Sequence, residues 1–175
     1  MAAEPTAGDA GRGDAGRLEE LYERHAAAGF RLAYLLLGNR QAAEDCAQEA
    51  FVKAVGRLGH LRSSMAFDAY LKRTIVNLAK NTWRRRSVER AHIEADPGDR
   101  TVPSTEGSAV DRVFVWEAIL GLPPRQRTAI VLRFYEDLTE DDIAAVMRCR
   151  PGTARSLVAR GMASLRTAIG VHADV

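Results

Sequence analysis

Apolar positions along this chain recur at intervals of three and four and never alternate at two, so every element predicted is a helix. "LEELYERHAAAGFRLAYLLL", residues 18–37, reads as the first, with Gly29 a weak spot inside it and Gly38 a C-terminal stop. "RQAAEDCAQEAFVKAVGRL" follows, with Ala43, Ala47, Ala50, Phe51, Ala54, Val55 and Leu58 on one stripe. After the loop "GHLRSSM", a third helix runs from about Phe67 to Arg90, with Phe67, Leu71, Ile75, Leu78 and Thr82 facing inward. Further helices are expected over Val110 to Leu120 and through "LPPRQRTAIVLRFYEDL", whose proline pair suits a helix start. The last unit is "TEDDIAAVMRCRPGTARSLVARG". Thr139 and Asp142 open it as a capping box, and Ile143, Val146 and Met147 form its stripe. Pro151 and Gly152 break it, and Thr153 suits a second N-cap ahead of Ala154, Leu157, Val158, Gly161 and Leu165. That pattern is helix, tight turn, helix.

Composition divides the chain. "EADPGDRTVPSTEGS" holds two prolines, two glycines and four acids and almost nothing apolar, so it reads as a linker without fixed structure. The Ala/Gly/Asp-rich start reads the same way. The expected organisation is a disordered leader at 1–17, a helical domain at 18–92, a linker at 93–109, a second helical domain at 110–169 and a tail at 170–175. The fold class is all-α, two small helical domains joined by a flexible linker. Fully extended, roughly twenty residues of chain reach about 65 Å.

Net charge is only +2, so any affinity for nucleic acid has to lie in local patches. Two patches qualify. From Lys72 to Arg90 seven basic residues stand against Glu89 alone, and Arg73, Asn77, Lys80, Asn81 and Arg84 share one face with Trp83 beside them. Cations that track phosphates, amides that reach base edges and a ring that stacks suit unpaired DNA, although a solvated helix with Trp83 in the core would carry the same residues. From Arg148 to Arg166 there are five arginines and no acid, which suits duplex DNA or, more plainly, a helical hairpin with a solvated basic face. The second helix carries a polar side of Asp45, Gln48, Glu49 and Val52, ordinarily a solvated one. Cys46 and Cys149 are far apart and the four histidines are scattered, so no metal, cofactor or disulfide is expected. No convergent acids or nucleophiles point to an enzyme. No apolar run reaches membrane-spanning length, and a soluble intracellular protein is the expectation.

Three stretches, in this order, resemble the extracytoplasmic-function members of the bacterial sigma-70 family, the promoter-specificity subunits of RNA polymerase. "AEDCAQEAFVKA" is similar to region 2.2, "AFDAYLKRTIVNLAKNTWRRR" to regions 2.3 and 2.4, and "LPPRQRTAIVLRFYEDLTEDDIAAVMRCRPGTARSLVARGMASLR" to region 4. The resemblance implies that Asp45, Gln48, Glu49 and Val52 dock on core polymerase at the β′ clamp helices, with the β flap as a second contact. It implies that Asn77, Lys80, Asn81, Trp83 and Arg84, with Arg73 on the same face, open and read single-stranded minus-10 DNA. Arg62, Ser63, Ser64 and Phe67 would fall on or beside the loop that holds a flipped base. Arg148, Arg150, Thr153, Arg155, Ser156 and Arg160 would meet the duplex minus-35 element. Anti-sigma factors are a further class of partner in the family; a membrane and a cofactor are not implied. Three positions depart from the family pattern: Arg148 replaces a glycine, Leu157 a basic residue and Ala154 a β-branched one. The expected consequences are a lost DNA contact at Leu157, thinner packing at Ala154 and weaker or altered minus-35 recognition. A stand-alone helix-turn-helix regulator is the alternative, and it leaves residues 40–90 unexplained.

Overall fold

The computed structural model describes residues 7–61, 63–90 and 109–173, with side chains over 16–61, 63–87 and 114–170. Among the described residues there are seven helices and no strand. They are α1 (Ala7–Leu37), α2 (Arg40–Val55), α3 (Ser64–Arg90), α4 (Ala109–Gly121), α5 (Pro124–Phe134), α6 (Glu140–Met147) and α7 (Pro151–Ala173). Arg62 and most of the expected linker lie outside the described residues.

Helices α1, α2 and α3 form the first domain. The alanine stripe of α2 lets it approach closely, and Ala43, Cys46, Ala50 and Ala54 are buried against Leu32 and Leu36 of α1 and Phe67, Leu71 and Ile75 of α3. Gly29 is no break. A Cβ there would touch Ile75 and Leu71 at 3.4 and 3.5 Å, so the residue lies where α1 and α3 meet. Asn39 caps α2 by accepting from the Ala42 amide at 2.8 Å. Cys46 donates to the Ile75 carbonyl at 3.8 Å, and burial pushes its thiol up to about 12, with Glu49 raising it further and Lys53 opposing. One expectation needs correction: residues 7–17, assigned to a disordered leader, extend α1 as helix. Arg17 anchors that end to the Leu61 carbonyl.

Helices α4 to α7 form the second domain. Ala129, Ile130, Val131 and Leu132 of α5 sit at its centre, enclosed by Ile143, Ala144 and Val146 of α6 and Ala154, Leu157 and Leu165 of α7. Gly161 is buried where α7 crosses α5; a Cβ there would meet Ile130 Cγ1 at 2.6 Å. The helix-turn-helix is therefore held at a fixed angle by α5 behind it.

The two domains touch. Tyr34 of α1 and Trp116 of α4, both buried, stack with ring centroids 5.0 Å apart. Arg127 of α5 donates to the Leu36 carbonyl at 2.8 Å and also to the Leu120 and Leu122 carbonyls, closing the end of α4. Lys72 of α3 bridges Asp68, at 2.8 Å, and Glu136 of the second domain, at 3.0 Å. Burial alone would lower the Lys72 ammonium; hydrogen bonds and charge from Asp68 and Glu136 outweigh it and hold the group above its ordinary value. Gly38, at φ +67°, takes the left-handed conformation that stops α1, and Leu120 lies 2.7 Å from where its Cβ would be.

Candidate nucleic-acid interface

On α3 the core stripe leaves a second side free. Lys80, Asn81 and Arg84 are exposed there, and Arg73 and Asn77 are half-buried. Among the described residues no hydrogen bond or ion pair engages the side chains of Asn77, Lys80, Asn81 or Arg84. Trp83 is half-buried at the edge of the core, and the Arg127 guanidinium lies 5.6 Å from its ring centroid.

The loop before α3 is less open than expected. Ser63 is exposed, but its hydroxyl accepts from the Ala66 amide at 3.1 Å and so caps the helix. Ser64 lies 3.0 Å from His25 Nε2, and the other ring nitrogen of this buried histidine is 3.5 Å from Asp68. Phe67 requires correction as a DNA-facing residue. It is 0% exposed and packs edge-on to Phe51, so it belongs to the core stripe that its helical spacing marks. Met65, not singled out from the sequence, is instead the exposed apolar group at this corner, at 83%. A lone methionine in a loop-like stretch carries no periodic signal.

In the second domain the capping box is formed: the Thr139 hydroxyl accepts from the Asp142 amide, and the Asp142 carboxylate accepts from the Thr139 amide. Arg148 ends α6 in the left-handed conformation (φ 51°, ψ 55°), the geometry a glycine would take without strain. Helix α7 begins at Pro151, with the Thr153 amide donating to the Arg150 carbonyl at 2.9 Å. Thr153 is thus in the first turn and not an N-cap, because a proline, lacking an amide hydrogen, fits the first helical position. Arg148, Arg150, Arg155, Ser156 and Arg160 are exposed and Thr153 half-exposed. Arg155 pairs with Glu140 at 2.7 Å, an acid from the preceding helix that the acid-free run of the sequence does not reveal. Leu157 is 5% exposed and Ala154 fully buried, so both are packing positions. The expected loss of a DNA contact at Leu157 is therefore corrected: that side chain faces α5 and α6, not outward.

On α2, Asp45, Gln48, Glu49 and Val52 are all exposed, Val52 at 70%. Gln41 donates to Asp45 at 3.0 Å and Lys53 pairs with Glu49 at 2.6 Å, which trims but does not cancel the acidic character. Beside them an apolar hollow of about 550 Å³ is lined by Leu18, Tyr22, Phe51, Val52 and Val55. Tyr22, 58% exposed, was not marked by the sequence pattern. A second groove, of about 630 Å³, runs between α4 and α7 along Val115, Ala118, Leu122, Ala168 and Ile169. Among the described residues no cluster of His, Cys, Asp or Glu is placed to hold a metal ion, and no helix is long and apolar enough to cross a membrane.

The described residues thus present exposed cations on α3 and at the start of α7, and exposed acids on α2, in an all-helical chain. Residues 21–88 match Sigma-70 region 2, and residues 115–165 match Sigma-70, region 4. The RNA polymerase sigma-E factor of Streptomyces antibioticus is 32% identical over 155 residues, covering 89% of this chain and 86% of the relative. The sigma-H factor of Pseudomonas aeruginosa is 35% identical over 142 residues, covering 74% of each. Among solved structures, the sigma factor RpoE of Bartonella quintana, in complex with the anti-sigma factor NepR, superposes with a TM-score of 0.72 at 22% identity, covering 87% of this chain and 96% of that one. The chain belongs to the sigma-70 family of RNA polymerase sigma factors, among its extracytoplasmic-function members. The region 2 match falls within α1–α3 and the region 4 match within α4–α7.

Proposed function

We propose that this sigma factor joins core RNA polymerase through α2, traps unpaired minus-10 DNA on α3 and holds minus-35 duplex with the start of α7. The observation that carries the reading is the face of Asn77, Lys80, Asn81 and Arg84, whose polar groups have no side-chain partner among the described residues. Groups left unsatisfied on a surface are available to phosphates and base edges, and the indole of Trp83 lies beside them.

Each partner follows from the chemistry of its face. Asp45, Gln48, Glu49 and Val52, with the hollow at Tyr22 and Phe51, offer acid and apolar surface together, suited to the β′ clamp helices. The groove between α4 and α7 suits an apolar helix of the β flap. Arg148, Arg150, Arg155 and Arg160 address the backbone of upstream duplex, and Thr153 and Ser156 lie between them. Arg155 must leave Glu140 to do so. Ser63 and Met65 flank the corner where a flipped base would sit. The chain contributes binding and strand separation inside the cell, and the polymerase carries out the chemistry.

Loss of one stacked base is worth roughly 1–3 kcal/mol, about one to two decades in the opening equilibrium. With core polymerase, Trp83→Ala should still form a closed complex on duplex promoter DNA but give much less permanganate-reactive open DNA. A template mismatched across the minus-10 region should restore part of the transcription. Undiminished opening by Trp83→Ala would remove the ring from the proposed site.

A further inference from the structure

The connection between α2 and α3 is gripped from α1 on both of its sides. Arg17, Arg24 and His25 share one face of α1 by helical spacing, with the buried Leu21 between them. The half-buried Arg17 donates to the Leu61 carbonyl. Two turns further along α1, His25 Nε2 lies 3.0 Å from the Ser64 hydroxyl. Arg24 donates to that same hydroxyl at 3.4 Å and is itself held by Glu20 at 2.8 Å. The chain up to Leu61 is wound tightly after α2, because the His60 and Leu61 amides both donate to the Arg57 carbonyl, at 2.8 and 3.1 Å. On the far side Ser63 caps α3 through the Ala66 amide. Arg17 therefore fixes the carbonyl at the end of one ordered turn, and His25 fixes the first residue of α3. Facing outward from this frame are Ser63 and Met65.

A hydrogen bond given by a cation to a half-buried carbonyl is stronger than one from a neutral donor, and this one joins residues 44 apart in sequence. A corner that must find its shape while it takes up a base spends binding free energy on its own ordering, and a corner already held does not. We propose that Arg17 is a positioning residue for minus-10 recognition: it ties the Leu61 side of the connection to α1, as His25 ties the Ser64 side, and so presents Ser63 and Met65 to an unpaired base in a fixed shape. Arg17 itself touches no DNA. The proposal rests on the reading of that corner as the place of the flipped base. Arg17 stands ahead of residues 21–88, the stretch that matches region 2, so the anchor lies outside the matched residues. It is also the side chain to perturb. His25 is buried with its ring centroid 5.4 Å from that of Phe67, so its loss would disturb the core, and the Arg24 side chain is 55% exposed.

The test uses the full chain with core polymerase on a promoter library randomised over the minus-10 element, with the transcribed templates sequenced. Arg17→Met keeps an unbranched stem and removes every donor, whereas Arg17→Lys keeps a charged one. Arg17→Met should weaken the base preference at one minus-10 position by about five-fold, the worth of one hydrogen bond, and leave the other minus-10 positions as they are in the parent. Arg17→Lys should recover most of that preference. In the free protein, the His60 and Leu61 amides of Arg17→Met should exchange with deuterium about five-fold faster than in the parent, while the amides of α2 remain as slow. Loss spread equally over every position, or no recovery in Arg17→Lys, would reduce Arg17 to a general staple of the fold and overturn the proposal. Unchanged exchange would show that the connection is held without Arg17, and faster exchange with an unchanged preference would show that the corner needs no anchor; either result overturns it. Met65→Ala in the same library keeps the two readings apart. If it alters the preference at one position and Arg17→Met does not, only the anchor falls. If Met65→Ala alters none, or the parent selects no minus-10 base at all, the reading of the corner falls, and the anchor with it.

Discussion

Replacing Arg148 by glycine should stabilise the protein while weakening its hold on DNA, because one residue serves two opposed purposes. Its backbone sits at φ 51° and ψ 55°, where a side chain crowds the following carbonyl at a cost of about 1–2 kcal/mol. Glycine relieves that cost but loses about 0.5–1 kcal/mol of unfolded-chain entropy. Loss of a cation at the end of α6 subtracts another ~0.3 kcal/mol from the helix-dipole interaction. The balance is about 0.5 kcal/mol in favour of glycine. For a chain of this size that raises Tm by about 1–2 °C, within reach of circular dichroism melts. Arg148→Ala keeps the strain and lacks the cation, so it should melt below the parent. Both variants should reduce the salt slope of duplex binding by about 0.9, one phosphate contact. A lower Tm for Arg148→Gly than for Arg148→Ala would refute the backbone argument, and an unchanged salt slope would take Arg148 out of the minus-35 surface.

Gly161→Ala should lower the denaturation midpoint, since its Cβ would lie 2.6 Å from Ile130 Cγ1 in a closed core and overpacking of ~1–3 kcal/mol exceeds the ~1 kcal/mol gain in helix propensity; a raised midpoint would show that α5 and α7 can part freely. The Cys46 thiol, held at about 12 against 9.0 in the unfolded chain, keeps its proton in the fold when the unfolded state has lost it. Its contribution is therefore intact below pH 9 and fades by about a factor of ten in the folding constant per pH unit towards 12. Cys46→Ala should flatten that fall, and parallel curves for the two proteins would count against burial as the cause. Reversing Asp45 and Glu49 to lysine should sharply weaken co-purification with core polymerase at unchanged helicity, whereas full retention would move the docking face elsewhere.

Most of the helices were legible because a 3.6-residue period survives in α2, α3 and α5 to α7, and the Thr139–Asp142 cap is a local chemical signal. The start of α1 was not, because glycine-rich composition hides a helix that merely extends an anchored one. Phe67 was pulled two ways: its spacing puts it inside, the resemblance put it beside a DNA loop, and packing decided for the core. Thr153 falls inside the first turn and not at the cap because proline is preferred at the first helical position, which Pro151 takes. The outward cations of α3 and α7 emerged from charge and spacing and Ser156 only from the resemblance, yet the Arg155–Glu140 pair did not emerge, since its partners come from two helices. The interdomain contact left one trace, "LAYLLL" at the end of α1, buried on every side and so in need of a second partner beyond α2 and α3. Which partner it is depends on Tyr34, Trp116 and Arg127, residues whose chemistry suits surfaces and cores alike.

Run-off transcription with core polymerase on a fragmented genomic library, with and without this protein, tests the central claim most directly. The account predicts new start sites that depend on the protein, share sequence elements about two turns apart upstream, and disappear with the Asp45/Glu49 double lysine variant. No new starts, together with tight and specific duplex binding by the protein alone, would contradict it and leave a stand-alone helix-turn-helix regulator in its place.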